Sequence, residues 1–246
     1  MSTEPKQWLL AAYEPVSPFS LRMSQMTSKG GKTLVVPTPY ATKMALIDAC
    51  FRRESGPTAQ AVAIHIFDLV KSRTICFRPP PHGIVQNTFV KVLDAERDGE
   101  RPFKQTIAYR EFVVFSGGSL EVALDVSGFQ EPDVKLIESL FWHINSIGKR
   151  GSFWQCTSVT AISGALGSGF TASISGGLSH PESFALVQHL DDFGEDLCNA
   201  ADGFDRISTY GERGITLGKH RVLTSSAIPY RRRSAAKRFT WYERVV

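Results

Sequence analysis

The 246-residue sequence lacks the features that mark several common classes of protein. Its apolar runs all fall short of the roughly 20 residues that a membrane-spanning helix needs. No charged segment leads into a long apolar stretch at the N-terminus, so we expect no signal peptide. The four cysteines, Cys50, Cys76, Cys156 and Cys198, include no Cys-x-x-Cys pair. We therefore predict a cytoplasmic protein with reduced thiols rather than a membrane protein or a disulfide scaffold.

Motifs of catalysis are scarce as well. None of the six histidines has a second His or a Cys at metal-ligand spacing, and we expect no metal. The sequence contains no Walker loop, no His-Glu-x-x-His and no Gly-x-Ser-x-Gly. Residues 167–172 match the dinucleotide pattern G-x-G-x-x-A, but that pattern needs a helix to begin there, and Gly176-Gly177 disfavours one. We expect no cofactor, and an unrelated small-molecule enzyme stays an alternative.

What the sequence does contain is an uneven distribution of charge. The net charge is +4, yet residues 161–218 carry two basic and eight acidic residues, and residues 219–246 carry eight basic residues and one acidic residue. A basic end favours an anionic partner such as nucleic acid, because Lys and Arg displace the counterions condensed on phosphates. The alternative is a solvated tail that pairs with the acidic segment. The tail has no amphipathic apolar stripe, which disfavours a membrane surface.

The order of the elements predicts an α+β protein. The predicted strands are residues 8–13, 34–36, 61–67, 74–77, 84–93, 105–115 and 120–126, with further strands within 151–179 and at 215–230 and 239–245. Helices are predicted from Pro39, with Thr38 as N-cap, from Pro132, and over the acidic residues 181–200. Residues 84–93 and 105–115 form two arms around a polar tip. Over the first 160 residues this order fits the split β-α-β-β-α-β unit of ferredoxin-like and RNA-recognition folds.

Two basic clusters have the composition of a nucleic-acid site. In the first, two glycines bracket Lys149 and Arg150 at the end of a helix, and Ser152 and Phe153 follow. Glycines let the backbone approach a phosphate, the cations neutralise it, and an aromatic ring can stack on an unpaired base. The second cluster consists of Arg231, Arg232, Arg233, Lys237 and Arg238, with Tyr230 and Trp241 nearby. For both clusters, surface cations beside core aromatics are an equal alternative.

Several segments together resemble one known family. An early segment with Pro18-Phe19 and Arg22 leads into Val36-Pro37-Thr38-Pro39 and a helix, Tyr109-Arg110-Glu111-Phe112 begins a middle strand, and the loop 148–152 closes the first part of the chain. In this arrangement the sequence resembles the fifth family of CRISPR-associated proteins, RAMP-superfamily subunits of the type I Cascade surveillance complexes of antiviral defence. The resemblance covers residues 7–160 well and the remainder loosely, and the Pro-Thr-Pro helix start is its most specific part.

The resemblance implies a ferredoxin-like (RRM-like, RAMP) domain over residues 1–160, with a β-hairpin thumb near residues 79–110. Residues 161–246 would form a β-rich C-terminal part that packs on it. The implied function is non-catalytic: the protein caps the 5′ handle of a CRISPR RNA and contacts the backbone and large subunits, with target DNA reached through the complex. The RNA-binding residues are then expected to be Arg22, Lys43, Arg52, Arg53, Lys149, Arg150, Ser152, Phe153, Arg231, Arg232 and Arg233.

One branch of this family is a metal-independent endoribonuclease that cuts precursor CRISPR RNA. That branch has a catalytic Tyr near the far end of the first helix, where this sequence has Cys50. It also has a Lys-His pair in mid-chain, whereas the Lys-His pair of this sequence, Lys219-His220, lies far downstream. Both departures favour a protein that is not an enzyme. An endoribonuclease that acts through Lys219 and His220 is the alternative.

Overall fold

The computed structural model of the protein describes residues 5–24, 31–94, 104–149, 151–174, 186–208, 211 and 213–245. Its strands are β1 (Gln7–Pro15), β2 (Leu21–Arg22), β3 (Thr33–Leu34), β4 (Ile75–Arg78), β5 (His82–Asp94), β6 (Lys104–Ser116), β7 (Leu120–Asp125), β8 (Trp154–Ser163), β9 (Ala172–Ser173), β10 (Leu186–Phe193), β11 (Arg221–Ile228), β12 (Tyr230–Ala236) and β13 (Phe239–Arg244). Its helices are α1 (Pro39–Arg53), α2 (Gly56–Val70), α3 (Glu131–His143), α4 (Glu195–Cys198) and α5 (Gly203–Ile207). None of the helices in these ranges is long and apolar enough to cross a membrane.

The central sheet has the strand order β4-β7-β1-β8, and each neighbouring pair is antiparallel. Helices α1 and α2 connect β1 to β4, and α3 connects β7 to β8. This is the split β-α-β-β-α-β arrangement. The predicted α+β class and its ferredoxin-like topology are therefore confirmed.

The core lies between this sheet and its helices. Along β1 the side chains of Leu9, Ala11 and Tyr13 are buried, whereas Leu10 and Ala12 are only partly buried, as alternation along a strand requires. The Tyr13 hydroxyl donates a hydrogen bond of 2.7 Å to the carbonyl of Phe141 at the end of α3. Sheet and helix layer are thus joined by apolar burial, at about 1.5–3 kcal/mol for each large side chain, and by a buried hydrogen bond.

Residues 61–67 form part of helix α2, so the strand predicted there is wrong. The alternating β-branched residues of this segment resemble a strand. However, the buried positions Ala59, Ala63, Ile66, Phe67 and Val70 follow helical spacing. This face packs against α1, and Pro57 near the start favours a helix. Tertiary packing and helical periodicity override the local β preference.

The acidic helix predicted over residues 181–200 is also wrong over most of its length. Residues 186–193 form β10, which pairs with β11 in continuous register from Leu186↔Ile228 to Phe193↔Arg221. Only α4 is helical in the described part of this segment, and residues 181–185 lie outside the described residues. The acidic side chains Asp191 and Asp192 engage cations of other elements instead of forming a solvated helix face.

The predicted β-hairpin is present as β5 and β6, which pair over 13 positions and which we call the thumb. Residues 95–103 of its polar tip lie outside the described residues. The hairpin of β12 and β13 extends the thumb sheet to the order β12-β13-β5-β6. Strand β13 pairs with β5 only from His82 to Gln86, so beyond Gln86 the thumb is a ribbon of β5 and β6 whose β6 edge meets Gly31. The remaining strands form the sheet β10-β11-β9, whose β10 lies against α1.

Candidate nucleic-acid interface

A cleft of about 650 Å³ runs along one side of α1. The lining residues come from α1, the β2–β3 segment, the loop after α3, and the paired strands β10 and β11. They are Leu21, Arg22, Leu34, Thr38, Tyr40, Ala41, Met44, Ala45, Asp48, Arg52, Asn145, Ser146, Gly148, Lys149, Asp191 and Arg221. The cleft therefore combines an apolar wall with four cations and two carboxylates.

Local sequence determines the shape of this cleft at two points. Helix α1 begins as predicted, because the Thr38 hydroxyl accepts a hydrogen bond of 3.1 Å from the backbone N–H of Ala41, with Pro39 at the first helical position. Opposite the helix, Gly148 has φ of 81°, and a Cβ there would lie 2.9 Å from Leu21. A glycine at this position lets the loop after α3 lie against β2.

Three of the predicted RNA-binding cations, Arg22, Arg52 and Lys149, line the cleft together. Arg52 is oriented by the protein: its Nε lies 2.8 Å from Asp48, and its Nη1 donates a hydrogen bond of 2.7 Å to the carbonyl of His143. Arg22 and Lys149 are exposed. Residues from β2, α1 and the loop after α3 thus present positive charge to one space.

The fourth cation, Arg221, was missed by the sequence analysis. Its guanidinium pairs with Asp191, donates to the hydroxyl of Ser24 at 2.9 Å, and lies 4.0 Å from the ring centre of Tyr40. Asp191 also accepts a 2.5 Å hydrogen bond from Ser24. Burial raises the pKa of Tyr40, so its ring faces Arg221 with the hydroxyl neutral. The signal in the sequence that could have indicated Arg221 is its position directly after the Lys219-His220 pair.

Lys43 does not lie on the polar side of α1, which corrects the prediction that it lines RNA. Its side chain is 1% exposed, and its Nζ lies 2.7 Å from Asp192 and donates to the carbonyl of Lys71 at 3.1 Å. The neighbouring positions Thr42, Leu46 and Ile47 are buried with it. Burial raises the pKa of Asp192, and the Lys43 ammonium opposes that rise. The pair connects α1 to β10 and is not available to a ligand.

The other predicted residues near α1 are dispersed. Arg53 faces α3, where it donates to the hydroxyl of Ser139 and lies 3.4 Å from Glu54. Ser152 is 5% exposed, and its backbone N–H donates to the carbonyl of Lys149 at 3.0 Å, so it closes a turn instead of presenting its hydroxyl to a ligand. Phe153 is 53% exposed. Arg150 lies outside the described residues.

The second basic cluster forms a separate surface. Arg231, Arg232 and Arg233 are exposed on the edge strand β12, which contributes no residue to the cleft. Arg231 lies 3.7 Å from Glu243 of the neighbouring strand. Charges on an edge strand also prevent pairing with other chains, so this row of arginines has a structural reason as well.

The alternative catalytic pair, Lys219 and His220, is only partly exposed. Lys219 is exposed, but His220 is 7% exposed, and its Nδ1 accepts a hydrogen bond of 3.1 Å from the backbone N–H of Thr216.

Burial raises the pKa of the Cys50 thiol to about 11. Among the residues that the structure describes, no group of three or more His, Cys, Asp and Glu side chains could hold a metal ion. That the protein is not an enzyme stays a prediction.

The outer thumb carries a feature that the sequence analysis did not identify. Phe89 is 73% exposed, Ile107 is 68% exposed and Tyr109 is 38% exposed. Phe89 and Tyr109 are cross-strand partners whose rings lie 5.6 Å apart in a T-shaped arrangement. Alternation in the two arms places these side chains on one face of the ribbon. Large exposed apolar side chains that touch one another are typical of a contact surface.

No protein-family model matches the sequence, and no curated protein matches it either. Solved structures do resemble the fold. A CRISPR protein from Archaeoglobus fulgidus is 14% identical, with a TM-score of 0.49, over 98% of this chain and 92% of that one. A chain of the type III-B Cmr-beta complex bound to cognate target RNA and AMPPnP is 10% identical, with a TM-score of 0.41, over 96% of this chain and 86% of that one.

Proposed function

We propose that this protein is a non-catalytic RNA-binding subunit of a CRISPR ribonucleoprotein complex, seated on the 5′ handle of the CRISPR RNA as in type I Cascade. The single observation that carries the proposal is the cleft along α1, where four cations from separate elements surround one space. The sequence resemblance to the fifth CRISPR-associated family supplies the class of RNA. The ferredoxin-like topology is compatible with this function, although it hosts many others.

The cleft can hold a single-stranded RNA segment by two kinds of contact. Arg22 and Lys149 are exposed at its lining and would neutralise phosphates. Arg52 and Arg221 are already oriented by carboxylates, so little side-chain entropy is lost when they bind. Apolar side chains such as Met44 offer a wall for a ribose or a base. Binding of this kind needs no catalytic constellation.

The exposed face of the thumb suits a protein partner. We assign the patch of Phe89, Ile107 and Tyr109 to a neighbouring backbone subunit, because interface centres are enriched in aromatic residues and depleted in charge. The large subunit would contact another surface of the same complex, and target DNA would be reached through it. The separate arginines of β12 would add sequence-independent attraction to nucleic acid.

The test is to purify the protein with its RNA. The chain is expressed with the proteins encoded beside it and a repeat array, purified by a tag on this chain, and the bound RNA is sequenced. We expect uniform RNAs that share a 5′ repeat fragment, and less RNA with the Arg22→Ala/Lys149→Ala variant. Lys135→Ala, which changes an exposed lysine of α3 outside the cleft, is the matched control. Absence of RNA, or random cellular fragments, would contradict the proposal.

A second experiment separates binding from processing. The purified chain is incubated alone with a repeat RNA without divalent metal, and we expect the RNA to stay intact. Cleavage that is lost in a His220→Ala variant would instead favour the endoribonuclease. A folded His220→Ala variant is required for that conclusion, because His220 stabilises a turn beside β11.

A further inference from the structure

Asp191, one of the residues that line the cleft, has one satisfied oxygen and one unsatisfied oxygen. Its Oδ2 accepts hydrogen bonds from Ser24 and Arg221. Its Oδ1 is buried and has no hydrogen-bond partner within the described part of the chain. The residue is 1% exposed, and yet it lines the cleft. A buried carboxylate oxygen without a donor is unfavourable, which suggests that a donor comes from a ligand.

The groups around Asp191 limit the kind of ligand that can supply the hydrogen-bond donor. Arg221 neutralises the carboxylate from one side, so a second cation is not needed for charge balance. The Arg221 guanidinium, which pairs with Oδ2 of the same carboxylate, lies 4.0 Å from the ring centre of Tyr40, so a planar charged group and an aromatic ring stand next to Asp191. Planar guanidinium and aromatic groups are the surfaces on which RNA bases stack. A neutral, planar ligand with an N–H donor on its edge fits these residues best.

We infer that Asp191 is a specificity-determining residue that accepts a hydrogen bond from the exocyclic amino group of an RNA base, an inference that rests on the proposed function. Cytosine, adenine and guanine carry such an amino group. Uracil presents its single edge N–H between two carbonyl oxygens, which a carboxylate repels. The cleft therefore favours an amino-bearing base over uracil at the position beside Arg221 and Tyr40.

Cytidine and uridine oligomers test this directly, because they share size and backbone and differ in an amino against a carbonyl group. Affinities of the full chain for labelled rC and rU dodecamers are measured by fluorescence anisotropy at one salt concentration. We expect rC to bind at least about fivefold more tightly, as one base-edge contact allows. In Asp191→Asn the side-chain carbonyl can stay with Arg221, which turns an amide N–H₂ toward the base. The preference for rC should then vanish or invert.

Lys149→Ala is the matched control, since loss of a phosphate contact should weaken both oligomers by the same factor and leave their ratio unchanged. Equal affinities of the wild-type protein for rC and rU, or an unchanged ratio in a folded Asp191→Asn variant, would overturn the inference and leave the proposed function standing. Failure to bind either oligomer, together with absence of RNA from the purified complex, would remove the proposed function itself.

If Asp191→Asn does not fold, a different RNA oligomer tests the same inference with the wild-type protein. A dodecamer of pyrimidin-2-one riboside keeps the ring and lacks the amino group. The wild-type protein should bind it as weakly as rU. Binding as tight as that of rC would show that the amino group is not read.

Discussion

Two groups of cations, one around α1 and one on β12, differ in what holds them. Around α1, Lys43 and Arg52 have carboxylate oxygens at 2.7 and 2.8 Å, and Arg221 pairs with a buried carboxylate. On β12, Arg231 is 60% exposed, 3.7 Å from its nearest carboxylate, and Arg232 and Arg233 are exposed beside it. The same residue types thus serve as fixed parts of the protein in one region and as solvated charge in the other.

The difference teaches that burial and partners decide the role of a cation. A cation held by a carboxylate keeps one geometry and can position a ligand, or, like Lys43, only stabilises the fold. A solvated arginine attracts phosphates with little geometric preference, and salt screens that attraction. The two regions should therefore respond differently to mutation, salt and pH.

The largest expected effect is on Lys43. Lys43→Ala leaves Asp192 partly buried without its cation, and we expect the free energy of unfolding to fall by about 2–4 kcal/mol after allowance for the exposed part of Asp192. Urea denaturation followed by circular dichroism measures it. Lys135→Ala, in an exposed pair with Glu131, should leave the midpoint unchanged. An unshifted urea midpoint for Lys43→Ala would contradict a structural role for Lys43 and leave it as a predicted RNA contact.

The next effect concerns pH and lies on the same buried face of α1. The folded protein keeps the Cys50 thiol protonated up to about pH 11, whereas the unfolded chain loses that proton near its ordinary pKa of 9.0. This contribution to stability is complete below pH 9 and is lost as pH rises toward 11, by about 1–2 kcal/mol. Urea midpoints across this range should fall less steeply in Cys50→Ala. Parallel plots of urea midpoint against pH for the wild-type protein and Cys50→Ala would contradict the raised pKa of Cys50.

Loss of the exposed cleft cations should weaken RNA binding by about tenfold. In the Arg22→Ala/Lys149→Ala variant the change should be the same for all sequences, and the slope of log affinity against log salt should fall by about 1.4, as expected for two phosphate contacts on a single strand. Anisotropy titrations at several salt concentrations measure both quantities. A loss confined to one sequence would mean that these cations read bases.

The smallest effect is expected on β12. Replacing Arg231, Arg232 and Arg233 by Ala should lower affinity by only about threefold at moderate salt, and the loss should disappear as salt rises, because the exposed charges are screened. The ratio of rC to rU affinity should not change. Arg213→Ala, an exposed arginine paired with Asp202, is the control. A salt-resistant loss would place β12 in the specific site.

The sequence predicts the parts of this structure that have local signals. Thr38-Pro39 marks the start of α1, and the two β arms predict the hairpin of β5 and β6, since capping and strand preference act within a few residues. It fails for residues 61–67, where apolar residues satisfy both periods, and for β10, whose acidic residues are buried by partners elsewhere. Propensity alone carries no information on such tertiary contacts.

The same limit explains how much of the candidate site could be predicted. Arg52 and Lys149 were predicted because cations on a helix side and in a glycine loop are visible in sequence, and Arg22 was predicted from the family resemblance. Asp191 and Arg221 were not, because they meet Ser24 across 167 and 197 positions of the chain. Lys43 was misplaced because its partner Asp192 lies 149 positions away. Only the folded topology brings these pairs together.

The pairing of β13 with β5 has a consequence for the synthesis of the protein on the ribosome. Pro80, at the base of the thumb, and its hydrogen-bond partner Tyr230 are 150 residues apart, and β13 follows later still. On the ribosome β5 therefore emerges with one edge open long before β13 arrives, and open edges invite pairing with other chains. A thumb sheet with a closed β5 edge exists only once residues 239–244 have been synthesised. Assembly on that sheet would then exclude unfinished chains.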